Sequence, residues 1–197
     1  MKEILPGIFT WPWFSERHGY DFNGWFVREG ALAIDPVEMP DAVLDELTGL
    51  GVQRIVITNR NHFRAAAKLK ARTGARVAVH PADAGFVRKN SVTVDDDLAH
   101  GAKVGPFTVI DAQGKSPGEI ALHWPGRRLL VVGDACVGKP PGALALLSPK
   151  VIDDLPALQQ SVKRLAQLEV ETLLVGDGAP ILEGAAAALR ALAGSFP

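Results

Sequence analysis

One cysteine, one tyrosine and two methionines are all that 197 residues contain of these types, and no apolar run is long enough to span a bilayer. Cys136 has no partner for an internal disulfide, so the fold cannot rest on a cross-link and a reducing, cytoplasmic setting is expected. Charge of either sign is not in excess. With 21 Lys and Arg against 22 Asp and Glu, the formal net charge of −1 leaves no footprint for nucleic acid or an anionic membrane surface. The opening Met1-Lys2-Glu3-Ile4-Leu5-Pro6-Gly7 turns on Pro and Gly before an apolar signal segment develops. Histidine is scarce too, and His18, His80, His100 and His123 stand at no metal-ligand spacing from one another. What remains is ordinary globular material, 47% hydrophobic and 22% charged, enough for one domain over residues 1–197 with a substantial core.

The hydrophobic pattern alternates between strand and helix periods. Ile4 to Thr10, Phe22 to Arg28 and Ala31 to Asp35 read as strands, with Glu29-Gly30 a tight turn. Pro40-Asp41 opens a helix whose Val43, Leu44, Leu47 and Leu50 share a face, and Gly51 ends it. A buried strand, Arg54 to Ile57, precedes an alanine-rich helix from Ala65 to Thr73 that Gly74 closes. Arg76 to Val79 is a short strand and Pro81 to Ala84 a helical turn. Strands return at Phe107 to Asp111, Glu119 to Trp124 and Arg128 to Val132, with Pro125-Gly126 turning the last hairpin. Lys139-Pro140-Pro141-Gly142 is a loop. Leu155, Leu158, Val162 and Leu165 have helical spacing, Thr172 to Val175 is a buried strand, and Glu183 to Ala193 a final helix. Strands followed by helices occur twice, and two such halves give an α/β (α+β) protein built as a four-layer αββα sandwich.

Four segments carry a family resemblance that spans nearly the whole chain. They are Asn23-Gly24-Trp25-Phe26-Val27 with Leu32-Ala33-Ile34-Asp35-Pro36, then Ile55-Val56-Ile57-Thr58 leading into Asn59-Arg60-Asn61-His62-Phe63-Arg64. Ser116-Pro117-Gly118-Glu119 with Leu130-Val131-Val132-Gly133-Asp134-Ala135 is the third, and Leu173-Leu174-Val175-Gly176-Asp177-Gly178-Ala179-Pro180 the fourth. In order and spacing they resemble the metallo-β-lactamase superfamily. That resemblance implies a zinc-dependent hydrolase, in which imidazole and carboxylate ligands hold two ions and lower the pKa of a bound water.

The ligand positions have been rewritten. Where the family motif reads His-x-His-x-Asp-His, this chain has Asn59, Asn61, Phe63 and Arg64. Lys115 stands in the place of the histidine before Ser-Pro-Gly, and Asp177 in that of the last histidine. Only the bridging aspartate, Asp134, is kept. Amides are poor zinc ligands, Phe63 cannot coordinate, and Arg64 is a permanent cation. Without metal, Asp134 and Asp177 would be unpaired carboxylates in a cleft, at a cost of several kcal/mol each. Arg64 and Lys115 converge on the same point in the family geometry, so an Arg64/Lys115–Asp134/Asp177 ion-pair network is expected in place of the metals.

The candidate catalytic residues are Asp134, Asp177 and His62. Together these three could hold one manganese, iron or magnesium ion, whereas a simpler role for His62 is a loop side chain bonded to a neighbouring carbonyl. Asp134 is a ligand, a base, a network member or a turn cap. Cys136 is a nucleophile only if Lys115 or His62 activates it, and otherwise a small buried hydrophobe. Eight of the thirteen aromatics fall between Phe9 and Phe26, and Trp11-Pro12-Trp13-Phe14 reads as a turn overhanging the cleft, facing a substrate, a second subunit or its own domain. His80-Pro81 is read as structural, and Asp95-Asp96-Asp97 as a solvated loop.

Two functions follow. In the first, the zinc site is lost, no cofactor is expected, and Asn59, Asn61, Arg64, Lys115, Asp134 and Asp177 form a cleft that binds a small anionic molecule. No nucleic-acid or membrane partner is expected, and a homodimer is open. In the second, the chain is a hydrolase of an ester, thioester, amide or phosphoester, using a reduced or metal-free site around Asp134, Asp177 and His62.

Overall fold

A computed structural model describes residues 1–197. Seven strands, β1 (Lys2–Leu5), β2 (Ile8–Ser15), β3 (Tyr20–Val27), β4 (Leu32–Ile34), β5 (Arg54–Ile57), β6 (Arg76–Val79) and β7 (Asp96–Asp97), form one sheet in sequence order. The second sheet takes β8 (Lys103–Val104), β9 (Phe107–Asp111), β10 (Ile120–Trp124), β11 (Leu129–Val132) and β12 (Thr172–Val175), with β12 and β8 at its edges. Helices α1 (Asp41–Gly49), α2 (Ala66–Thr73) and α3 (Pro81–Lys89) follow β4, β5 and β6, while α4 (Leu155–Leu165) and α5 (Ala185–Gly194) flank β12 in sequence.

The layers follow from strand alternation. In β5, Ile55 and Ile57 join a core with Leu44, Leu47, Ala66, Leu69, Ala84 and Val87 of the first three helices, while Val56 between them faces the other way. In β11, Leu130 and Val132 pack with Leu158, Val162, Leu165 and Leu189 of α4 and α5, while Leu129 and Val131 meet Val56, Trp25 and Ile34 between the sheets. Three apolar cores therefore separate four layers, the αββα sandwich that the pattern predicts. Each fully buried Leu or Ile contributes roughly 1.5–3 kcal/mol, which is why the two faces of each strand are so uniformly apolar.

Local chemistry sets the element ends. His80 Nδ1 accepts from Ala82 N at 3.2 Å and Asp154 Oδ1 from Ala157 N at 2.9 Å, capping α3 and α4. Gly74, at φ 72°, closes α2.

Four local expectations are corrected. The run Ile4 to Thr10 is two strands, because Pro6 lacks an N–H and Gly7 takes φ 74°. Trp11-Pro12-Trp13-Phe14 is not a turn but part of β2, paired with Gly24, Asn23, Phe22 and Asp21 of β3. β1 begins at Lys2, opposite Thr10, and its pairing reaches no further along β2, so this stretch is an edge that tolerates proline. The helical turn at Pro81 runs on as a nine-residue helix. The acidic run is not simply solvated: Lys70 pairs with Asp95 at 2.6 Å and Arg76 with Asp96 at 2.5 Å, and Asp96–Asp97 joins the sheet.

Candidate functional site

β4, β5 and β6 run parallel, as do β11 and β12, so the segments leaving β4, β5, β11 and β12 meet at one rim of the sandwich. That rim is stitched across the sheets. Ile120 N donates to Thr58 O at 2.9 Å, and Asn23 Nδ2 donates to Val175 O and Gly178 O at 3.0 and 2.8 Å. Into it project Asp35 after β4, Thr58 to Arg64 after β5, Asp134 after β11 and Asp177 after β12.

His62 is at the centre and has no solvent contact. Its Nδ1 lies 2.8 Å from Asp35 Oδ2, and its Nε2 lies 3.2 Å from Asp134 Oδ1, too poorly aligned for a hydrogen bond. Asp35, held at φ 47°, also accepts from Thr58 N at 2.8 Å and Thr58 Oγ1 at 2.5 Å. Burial and the Arg64 cation push the His62 pKa down, but Asp134 and Asp35 outweigh them and hold it at about 10. The imidazole is therefore a cation at neutral pH. It is not bonded to a carbonyl.

Asp134 Oδ2 forms an ion pair with Lys115 Nζ at 2.6 Å, and Lys115 also donates to Asn61 Oδ1 at 2.7 Å. Burial opposes the Asp134 charge, but His62 and Lys115 prevail and hold its carboxyl well below the usual range. Arg64 donates to Asp177 Oδ1 at 3.2 Å, with its guanidinium 4.1 Å above the Phe22 ring. Burial and the Asp134 charge raise the Asp177 pKa. Both cation–carboxylate pairs of the rewritten motif are thus in place, with His62 as a third cation between them.

The remaining motif residues serve the loop. Asn59 is fully buried; its Oδ1 accepts from Asn61 N at 2.9 Å and its Nδ2 makes a long contact of 3.5 Å with Glu119 Oε1. Arg60 pairs with Asp153 at 2.7 Å, and the Phe63 ring packs 6.4 Å from Phe86. Cys136 is buried, and burial pushes its thiol up to about 12, so it is a core residue.

Asp35, Thr58, Asp83 and Glu119 escaped the sequence reading of the site. Asp83 accepts from Arg60 N, Ser116 Oγ and Gly118 N at 2.8, 2.5 and 3.0 Å, joining the two motif loops. Glu119 Oε1 accepts from Asp134 N at 2.6 Å, while Oε2 has no partner. Burial and the Asp134 charge raise its pKa well above the carboxylate range, which favours its neutral form. The available signals were Asp35 closing an apolar strand and a lone Glu119 opening another.

Donor atoms of His62, Asp134 and Asp177 lie within 4.8 Å of one another, a possible seat for one metal ion. A cavity of about 670 Å³ lies elsewhere, between β9 and the end of α4, and shares no residue with this cluster.

Comparison with known proteins adds the following. A family model described as the metallo-beta-lactamase superfamily matches residues 1–196. A hydroxyacylglutathione hydrolase of Fuscovulum blasticum is 33% identical over 147 residues, 70% of this chain and 54% of that protein. One of Cereibacter sphaeroides is 32% identical over 173 residues, 85% of this chain and 64% of that protein. The chain thus spans 54% and 64% of the lengths of these two relatives. Among solved structures, a metallo-beta-lactamase from Pontibacter korlensis superposes with TM-score 0.77 at 16% identity, covering 99% of this chain and 98% of that one. A protein solved in a di-iron-bound form gives TM-score 0.67 at 25% identity, covering 86% and 93%.

Proposed function

The chain belongs to the metallo-β-lactamase superfamily, and from that premise we propose that ion pairs have taken over its metal centre and that its cleft binds a small anion. The observation that carries the reading is the 2.6 Å Lys115–Asp134 pair between two buried side chains. A zinc pair does not fit these residues. Zinc wants about four N, S or O ligands per ion; here three residues converge, and two of them already contact the cations Lys115 and Arg64. Three cations, His62, Lys115 and Arg64, face three carboxylates, Asp35, Asp134 and Asp177, which leaves the centre formally neutral without any ion.

Donors are left over at the rim. Lys115 has three N–H groups and two are engaged, and the part-exposed Arg64 side chain makes one hydrogen bond, to Asp177. With the exposed amide of Asn61 they suit a carboxylate or phosphate. The name of the relatives, hydroxyacylglutathione hydrolase, points to a carboxylate-bearing thioester or its acid product as the ligand class. A cytoplasmic place is part of this reading, supported by the single buried cysteine; no helix is long and apolar enough to cross a membrane.

The second reading, a hydrolase with a single divalent ion held by His62, Asp134 and Asp177, draws on their convergence. Elemental analysis of protein purified without chelator separates the two. Stoichiometric metal overturns the ion-pair reading. With metal absent, phosphate, lactate and glutathione are screened by thermal shift, where a ligand of the folded state raises the midpoint. A shift that Arg64→Ala abolishes supports the anion site; no shift with any of them discards it.

A further inference from the structure

The helix layer on the second sheet stops short of its β8 edge. Ala121 of β10, Leu130 and Val132 of β11, and Leu173 and Val175 of β12 are buried with α4 and α5, but Ile110 of β9 is only half-buried. The cavity of about 670 Å³ occupies that gap and is within the range of small-molecule sites. One wall is β9, where alternation turns Thr108 and Ile110 to this side and Val109 to the core between the sheets. The other wall is the end of α4, with Arg164 in its last turn and Leu168 in the turn that follows.

The polar groups of this cavity are held in place without being neutralised. Arg164 Nη2 donates to Ser161 Oγ at 2.9 Å, and Ser161 Oγ donates to Gln113 O at 2.7 Å, so the guanidinium is tethered near Gln113 and its one hydrogen bond goes to a neutral hydroxyl. Asp111 is the cavity's one carboxylate. Its Oδ1 is closed off, 3.9 Å from His80 Nε2 and without a hydrogen bond, but the side chain is 31% exposed, so Oδ2 is the oxygen open to the cavity. His100 Nδ1 accepts from Asp111 N at 3.2 Å, which puts the proton of the neutral ring on Nε2. Two further basic side chains stand next to Thr108. Lys103 of β8 donates to Thr108 Oγ1, and burial and the Lys103 charge lower the pKa of His123 on β10, favouring its neutral form.

A permanent cation and a carboxylate therefore line one cavity without pairing with each other. A bound anion would leave Asp111 facing it, and a bound cation would leave Arg164, so a ligand carrying both charges is the one that this lining selects. We propose that the cavity binds a zwitterionic α-amino acid with an apolar side chain. The ligand carboxylate meets the Arg164 guanidinium and the Gln113 amide, and the ammonium meets Asp111 Oδ2. The apolar side chain lies on Ile110 and Leu168, both half-buried. None of His62, Arg64, Lys115, Asp134 or Asp177 takes part.

Calorimetric titration of the full chain with L-leucine at neutral pH tests this. The expected result is saturable one-to-one binding, weakened about tenfold or more in Arg164→Gln and in Asp111→Asn. Two analogues that each lack one charge, 4-methylpentanoate and 3-methylbutylamine, should bind weaker than leucine by a similar factor. Arg164 is exposed and Asp111 accepts no hydrogen bond, so both variants keep the melting temperature of the parent and read binding alone. Absence of saturable binding at about 10 mM leucine, equal binding of either analogue, or unchanged affinity in either variant overturns the proposal. Leucine affinity is expected to be unchanged in Arg64→Ala, and its loss there would place leucine at the ion pairs and overturn the proposal too. Failure here leaves the anion site at Arg64 and Lys115 untouched.

Discussion

His62 Nδ1 and Asp35 Oδ2 lie 2.8 Å apart with neither side chain in contact with solvent, and this pair, 27 residues apart in sequence, anchors the centre of the rim. The second ring nitrogen faces Asp134, which Lys115 holds from its other oxygen. A chain of alternating charge therefore runs Asp35, His62, Asp134, Lys115 through the place where the sandwich gathers its strand ends.

That chain makes stability depend on pH in a definite direction. The folded pKa of His62, about 10, lies above the ordinary 6.5. Its contribution is therefore complete below about pH 6.5 and is lost as pH rises through about 10. Denaturant unfolding across that window should show stability falling with pH in the parent and a flatter curve in His62→Gln. Parallel curves would refute a charged His62.

Removing one partner of a buried pair strands the other. Lys115→Met should lower unfolding stability by about 3–5 kcal/mol, because Asp134 stays buried without its 2.6 Å partner. Adding Asp134→Asn to that variant should recover part of the loss, a coupling that a double-mutant cycle measures. Strict additivity would show that the pair carries no interaction energy.

Arg64 does two jobs, pairing with Asp177 and stacking on Phe22. Arg64→Lys should keep the charge and lose the planar stack, giving a loss of roughly 1 kcal/mol, and Arg64→Ala a larger one. Thermal melts of the two variants check the order.

Gly176 touches the same centre from β12. A Cβ there would sit 2.6 Å from His62 Cε1, so Gly176→Ala should displace the imidazole and destabilise by about 1–3 kcal/mol. Chemical shifts of the His62 ring, read against the parent by NMR, report the displacement directly.

Cys136 should resist a thiol reagent in the folded state and react only on unfolding, since its thiol is buried and pushed up to about 12. Rapid stoichiometric labelling of native protein would contradict that assignment.

The αββα architecture could be read from the chain alone, because side-chain alternation and helical spacing are local properties that burial enforces on every strand. Residue identity likewise gives Asn59, Asn61 and Arg64 at positions where the resemblance expects histidines. The pairing of Arg64 with Asp177 and of Lys115 with Asp134 was legible too, since opposite charges at positions that a resemblance places together have few other ways to be buried.

The role of His62 was not legible. Its grouping with Asp134 and Asp177 was open to the sequence as one alternative to a loop side chain, but only the turn after β5, brought beside the end of β4, carries it to Asp35. Glu119 and Asp83 were missed for the same reason, since their partners lie 15 to 60 and 23 to 35 residues away. Trp11 to Phe14 became strand rather than turn because pairing with β3 outweighed the local signal of one proline. Sequence determined which groups this protein has and which layers bury them. Tertiary structure alone decided which charges touch, because contact between distant residues is set by how strands stack and end, not by the chain's local preferences.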